Sequence, residues 1–156
     1  MLINILETAF NLIISLNKDL FEIIALSLKV TLSALIIAVS ISIPFGAFLV
    51  FYKNKFQSFI MLISNTLMGM PPVVLGLIIY TLVSRQGIFG FLDILYTPTV
   101  MVLAQTLLII PIVISLTYEE IYKKNKELNL LLNSLNLNKF KKLKTLIYES
   151  RYALIT

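Results

Sequence analysis

The chain has no cysteine, no histidine and no tryptophan. Without cysteine, disulfide scaffolds and thiolate metal sites are excluded. Without histidine, Ser-His-Asp catalysis, His-zinc sites and His-ligated haem are excluded. Charge is also scarce. Only 13% of the 156 residues are charged, and 58% are hydrophobic. Soluble domains average about 25% charged and about 45–50% apolar. Mean hydropathy is +0.93. A water-soluble fold of this length has too few polar residues here to cover its surface, and disorder requires low hydrophobicity. The formal net charge of +5 raises nucleic acid as a partner, but the placement of the charges points to a membrane instead.

Three long runs carry no charge. Val30 to Tyr52 is 23 residues, Phe56 to Ser84 is 29, and Ile94 to Tyr118 is 25. A bilayer core about 30 Å thick needs about 20 apolar residues in helix. The runs are rich in Leu and Ile without alternation, which favours helices over barrel strands. The expected fold is all-α, a polytopic transmembrane helical bundle. Its spans fall at about 21–52, 56–84 and 95–118. Residues 1–17 read as an amphipathic interfacial helix, with Asn4, Glu7, Thr8, Asn11 and Ser15 at three- and four-residue steps.

Lys and Arg set an orientation. Lys53 and Lys55 follow the first run, Arg85 with Asp93 follows the second, and Lys123, Lys124, Lys126, Lys139, Lys141, Lys142, Lys144 and Arg151 follow the third. Basic residues stay in the cytoplasm. The N-terminal segment is then outside, the Lys53–Lys55 loop inside, the Arg85 loop outside, and residues 119–144 cytoplasmic. The basic charge is read as a topology determinant, with a lipid bilayer as partner and no nucleic acid.

The second run is interrupted by Asn65-Thr-Leu-Met-Gly69-Met-Pro71-Pro72. Two prolines remove two backbone donors and disfavour helix before them. Broken helices at membrane depth occur where freed backbone groups face protein or a watery cavity. A packing kink is the plainer explanation. Thr97-Pro98-Thr99 opens the third run, with Gln105 and Thr106 inside it and Pro111 further on. Asn65 and Gln105 are amides in the bilayer interior. Interhelical hydrogen bonding and a polar translocation pathway both account for them. Pro44, Gly46 and Gly76 are expected where helices approach closely. The sequence offers no paired carboxylates within the spans, no metal-ligand cluster and no phosphate-binding G-x-x-x-x-G-K-[ST] loop, so no catalytic residue, metal or cofactor is assigned.

Residues 119–144 are expected to form a cytoplasmic element. Leu128, Leu131, Leu132 and Leu135 lie on one face of a short helix that Asn136 and Asn138 can end, and Lys139 starts another. An apolar-faced helix on the basic side suits docking of a cytoplasmic partner, and resting on lipid is its plainer use.

With these stretches in hand, the chain resembles the membrane permease of bacterial ABC importers of the binding-protein-dependent type, in particular the tungstate-type permeases. The carrying stretches are Ser27-Leu-Lys-Val-Thr-Leu32, Asn65 to Gly76, Thr97 to Thr106 and Leu135-Asn-Leu-Asn-Lys139. The resemblance covers residues 20–156. It implies a type I importer transmembrane domain in the bacterial inner membrane. The implied partners are a separate ABC ATP-binding subunit, an extracytoplasmic substrate-binding protein and a second permease copy forming a homodimer. It implies a translocation path for an oxyanion, tungstate or molybdate, for which Asn65, Gly69, Pro71, Pro72, Thr99 and Gln105 are the candidates. It implies an ATPase-docking coupling helix at Leu131, Leu132, Asn133, Ser134, Leu135 and Asn136. The family pattern there begins E-A-A and continues to a glycine, whereas Leu130 and Asn136 stand at the acidic and glycine positions. Further core spans follow the coupling helix in the family. Residues 145–156 are expected to begin a fourth span, so the chain reads as incomplete at its C-terminus. The alternatives are a truncated, non-transporting remnant, a small membrane scaffold, or a simple pore.

Overall fold

A computed structural model describes residues 18–51, 54–134, 138–151 and 153. The expected amphipathic helix 1–17, together with Leu135, Asn136 and residues 154–156, lies outside the described residues. Five α-helices are described: α1 (Lys18–Leu49), α2 (Lys55–Met68), α3 (Pro72–Val83), α4 (Pro98–Ser134) and α5 (Lys139–Glu149), with a short 3-10 turn at Gly90–Leu92. At 1.5 Å per residue, α1 and α4 are about 48 and 55 Å long, enough to cross a bilayer.

α1 and α4 are the central pair. Val30, Ala34, Ala38, Ser42 and Gly46 are buried at every fourth position of α1, continuing to Val50 just beyond it. Residues four apart share a helix face, and small side chains there let backbones come close. At Gly46 a Cβ would lie 2.9 Å from the Ile114 carbonyl oxygen and 3.1 Å from Thr117 Cβ. Gly46 is thus at a close approach, as expected. Gly76 is not, since nothing lies within 4 Å of its Cβ position, and Pro44 is exposed. Ser42 Oγ donates to the Ile110 carbonyl at 3.3 Å.

The matched positions give the direction. Position 42 meets 110, 46 meets 114 and 117, and Ala47 and Val50 share a cluster with Ile121. Both numbers rise together, so α1 and α4 run parallel. The chain between them must therefore return through the same thickness. α2 and α3 make that return: Gln57 Nε2 donates to Tyr118 Oη, and Ser115 Oγ donates to Asn65 Oδ1 at 2.6 Å, so α2 descends along α4. The return is not straight. α2 and α3 meet at 103° across Gly69–Pro71. Pro71 and Pro72 have no N–H to give the carbonyls of Leu67 and Met68. Leu67 O is taken instead by Met70 N at 3.1 Å, and Thr66 O by Gly69 N at 3.2 Å, which closes the helix in a tight last turn.

The parallel pair also sorts the charges. Lys55, Lys123, Lys124, Lys126 and α5 gather at one end of the bundle, and Lys18, Asp19, Glu22, Arg85 and Asp93 at the other. At the basic end α5 folds back and buries Leu146 against Ala47, Val50, Ile121 and Leu132, with Leu143 and Ile147 beside it.

Two sequence expectations meet a different local structure. The segment with Leu128, Leu131 and Leu132 is not a separate short helix but the last turns of α4, which runs unbroken to Ser134. The boundary drawn at residue 145 for a fourth span falls inside α5, an amphipathic helix whose apolar side packs on the bundle end.

Candidate functional site

The broken return is the first candidate. Asn65 is exposed and accepts from the buried Ser115. Gly69, Pro71 and Pro72 form the outer side of the elbow, all exposed. The inner side is apolar: Leu67, Met70, Leu75, Leu107, Leu108 and Pro111 enclose a cavity of about 150 Å³. Thr99 is exposed in the first turn of α4, and Gln105 is half-buried with its Oε1 buried and unbonded. An unpaired amide oxygen in such a setting costs on the order of 1–3 kcal/mol. The six candidates are not gathered into one pocket. From Thr99 to the Ser115 that holds Asn65 they are spread over about 24 Å of α4. Such a ladder suits passage more than tight capture.

A second cleft, at the end of α3, carries little sequence signal. Tyr80, Thr81, Ser84, Arg85, Gln86, Asp93 and Tyr96 are among the residues lining about 760 Å³ where α3 ends. Asp93 (φ 46°) and Tyr96 (φ 65°) are left-handed, a conformation that costs non-glycine residues on the order of 1 kcal/mol or more and is held only by its surroundings. Gly87 supplies part of the hold, because a Cβ there would sit 2.3 Å from the Leu82 and Thr81 carbonyl oxygens. The last carbonyls of α3 are capped by the loop: Ser84 N on Tyr80 O at 2.9 Å, Ser84 Oγ on Thr81 O at 3.1 Å, and Phe89 N on Leu82 O at 2.9 Å.

The basic end is the third candidate. Leu131 is 58% exposed, but Leu132 is 1% exposed within the core cluster. Leu132, expected on the docking face, is turned inward, because α5 of the same chain covers that side of α4. Ser134 is exposed, with its Oγ donating to the Leu131 carbonyl at 2.9 Å. Asn133 lies in the last turn of α4. Leu130 points fully outward beside Leu131. Glu120 pairs with Lys123 at 2.7 Å and Glu127 with Lys124 at 2.8 Å, and each pairing raises the lysine above its ordinary value. Among the described residues there is no group of three or more side chains arranged to hold a metal ion.

Two parallel spanning helices, a broken return between them and a basic, helix-bearing end define a multi-pass membrane protein with the layout of a solute permease. The comparisons with known proteins agree with that class. Residues 41–148 match the family described as binding-protein-dependent transport system inner membrane component, and the chain belongs to that family. The tungstate uptake system permease protein TupB of Peptoclostridium acidaminophilum is 37% identical over 112 residues, 72% of this chain and 49% of that protein. The protein of the same name from Campylobacter jejuni is 41% identical over 106 residues, 68% of this chain and 44% of its own length. A probable anion ABC transporter permease protein of Haloferax volcanii is 30% identical over 109 residues, 70% of this chain and 47% of its length. The chain thus spans about half the length of the curated relatives it matches. No solved structure matches it.

Proposed function

We propose that the chain is the membrane-spanning permease subunit of an ATP-driven importer, forming the translocation path for an oxyanion, tungstate first and molybdate next. The single observation that carries this reading is the 103° break at Gly69–Pro71 in the helix pair that must return across the membrane. Broken helices at membrane depth leave backbone groups that only protein or a solute pathway can satisfy. The relatives named for tungstate uptake supply the solute.

In this reading the Thr99 hydroxyl and the Asn65 and Gln105 side-chain amides offer donors in passing, and Gly69, Pro71 and Pro72 make the break that opens the path. No arginine or lysine lies at the centre of a charge-free run, so the anion meets only neutral donors and is not trapped. An extracytoplasmic binding protein delivers it to the end bearing Arg85. A second permease copy completes the path. ATP hydrolysis belongs to a separate subunit that docks at the basic end, which faces the cytoplasm. Its contacts on this chain are Leu130, Leu131, Asn133 and Ser134, continuing to Leu135 and Asn136. Leu132 serves from behind as the anchor that holds this stretch. Closure of the ATPase pair then rocks the docked helix end and, through α4, the elbow packed on it.

The test is co-expression of the full chain with its ABC ATPase subunit, followed by affinity purification. The ATPase is expected to co-purify, and Leu131→Asp is expected to remove it while leaving the permease in the membrane. Stable recovery of the chain with no ATPase would instead favour a non-transporting membrane scaffold.

A further inference from the structure

The outward face of α5 has no part in the transport reading. Its apolar side holds Leu146 against Ala47, Val50 and Ile121. Ala47 and Val50 mark the end of the first span, and Ile121 lies just beyond the charge-free run that ends at Tyr118. The C-terminal half of α5 therefore sits at the depth where both long helices leave the apolar layer. Its other side carries Lys141, Lys144, Tyr148 and Arg151, spaced as one helical stripe. With Thr145 and Ile147 these residues line an open cleft of about 650 Å³. Lysine stems, Ile147 and the Tyr148 ring give it apolar surface. The Arg151 guanidinium is 4.0 Å above the Tyr148 ring, which fixes it in place. Lys141 and Lys144 are exposed and form no ion pair among the described residues. The one acid of α5, Glu149, is exposed and is not among the residues lining the cleft.

We propose that this cleft is a binding site for an anionic phospholipid, its phosphate held by Lys141, Lys144 and Arg151 and its first acyl carbons lying against Ile147 and Tyr148. Charge complementarity and depth select the occupant. The charged side chains of the stripe are all cationic, Ile147 and Tyr148 give it an apolar floor, and it lies at the level of the headgroups. Orientation of the chain by its basic residues requires cations at this end but no apolar-floored cleft between them, so the site is an addition to that role.

The absence of tryptophan allows a direct test. Tyr148→Trp places one tryptophan in the cleft, and the full chain is reconstituted in phosphatidylcholine bilayers with a small fraction of brominated lipid. Brominated phosphatidylglycerol is expected to quench several-fold more than brominated phosphatidylcholine. Each of Lys141→Gln and Lys144→Gln should weaken that preference about fivefold, from roughly 1 kcal/mol per cation at an anionic surface. Native mass spectrometry of the unaltered chain is expected to show retained phosphatidylglycerol, lost in the double variant. Equal quenching by the two lipids, or a preference that survives the double variant, would overturn the site. Displacement by millimolar inorganic phosphate would overturn the lipid as its occupant.

Discussion

Along α1, every fourth residue from Val30 to Gly46 is buried, whereas α3 buries only Ile79 and Val83, and α2 buries only Ser64. The first arrangement is a helix pair locked at backbone distance, and the second is a bent return that touches its neighbours thinly. The difference separates two tasks. α1 and α4 hold the spacing of the bundle, and α2–α3 are left free to rearrange. Packed contacts resist small displacements, while sparsely packed elements open at low cost. An elbow with an apolar cavity of about 150 Å³ behind it has room to move where the locked pair has none.

The comparison can be broken first where the locked pair is pinned. Leu132→Ala should cost about 2–4 kcal/mol, the usual range for emptying a fully buried leucine site, and Leu131→Ala next to it less than about 0.5 kcal/mol. Thermal unfolding in detergent reads the difference. A smaller and more telling pair is Gly46 against Gly76. Gly46→Ala forces a methyl group against the Ile114 carbonyl and Thr117, and should cost about 1–3 kcal/mol. Gly76→Ala meets open space and should be neutral or stabilising by less than about 1 kcal/mol. Equal costs at the two glycines would mean that the two regions are packed alike. Asn65→Ala should cost about 1 kcal/mol or less, the range for an interhelical hydrogen bond. A double-mutant cycle with Ser115→Ala isolates that term, and anion transport should fall far more than stability does.

The parts of this fold that rest on local chemistry were legible in the sequence. Charge-free runs announce spans, and the paired prolines after Gly69 announce a break, because a missing N–H acts on its own carbonyl partner. Gly46 was readable as a close approach, but Gly76 was not distinguishable from it, since only the neighbouring helix decides which glycine is crowded. Leu132 shows the same limit. Its place on an apolar helical face was plain, yet what covers that face depends on α5 folding back. The cleft at the end of α3 was hidden for another reason. Arg85 and Asp93 read only as loop charges, and it is the left-handed backbone at Asp93 and Tyr96 that brings them together with Tyr80.

The most direct test of the division between scaffold and path uses the natural absence of cysteine. Single cysteines at Asn65, Gly69 and Thr99, and at Ala38 and Ile36 as controls, can be probed in intact membranes with a polar thiol reagent. Ala38 is buried and Ile36 is 65% exposed on a charge-free stretch of α1 that the account places in lipid, so both controls should be inert. The account predicts that Asn65→Cys, Gly69→Cys and Thr99→Cys react, because the outer face of the broken return is wet. If these three react no faster than Ile36→Cys, that face is in lipid, and the broken span is a packing kink without a path.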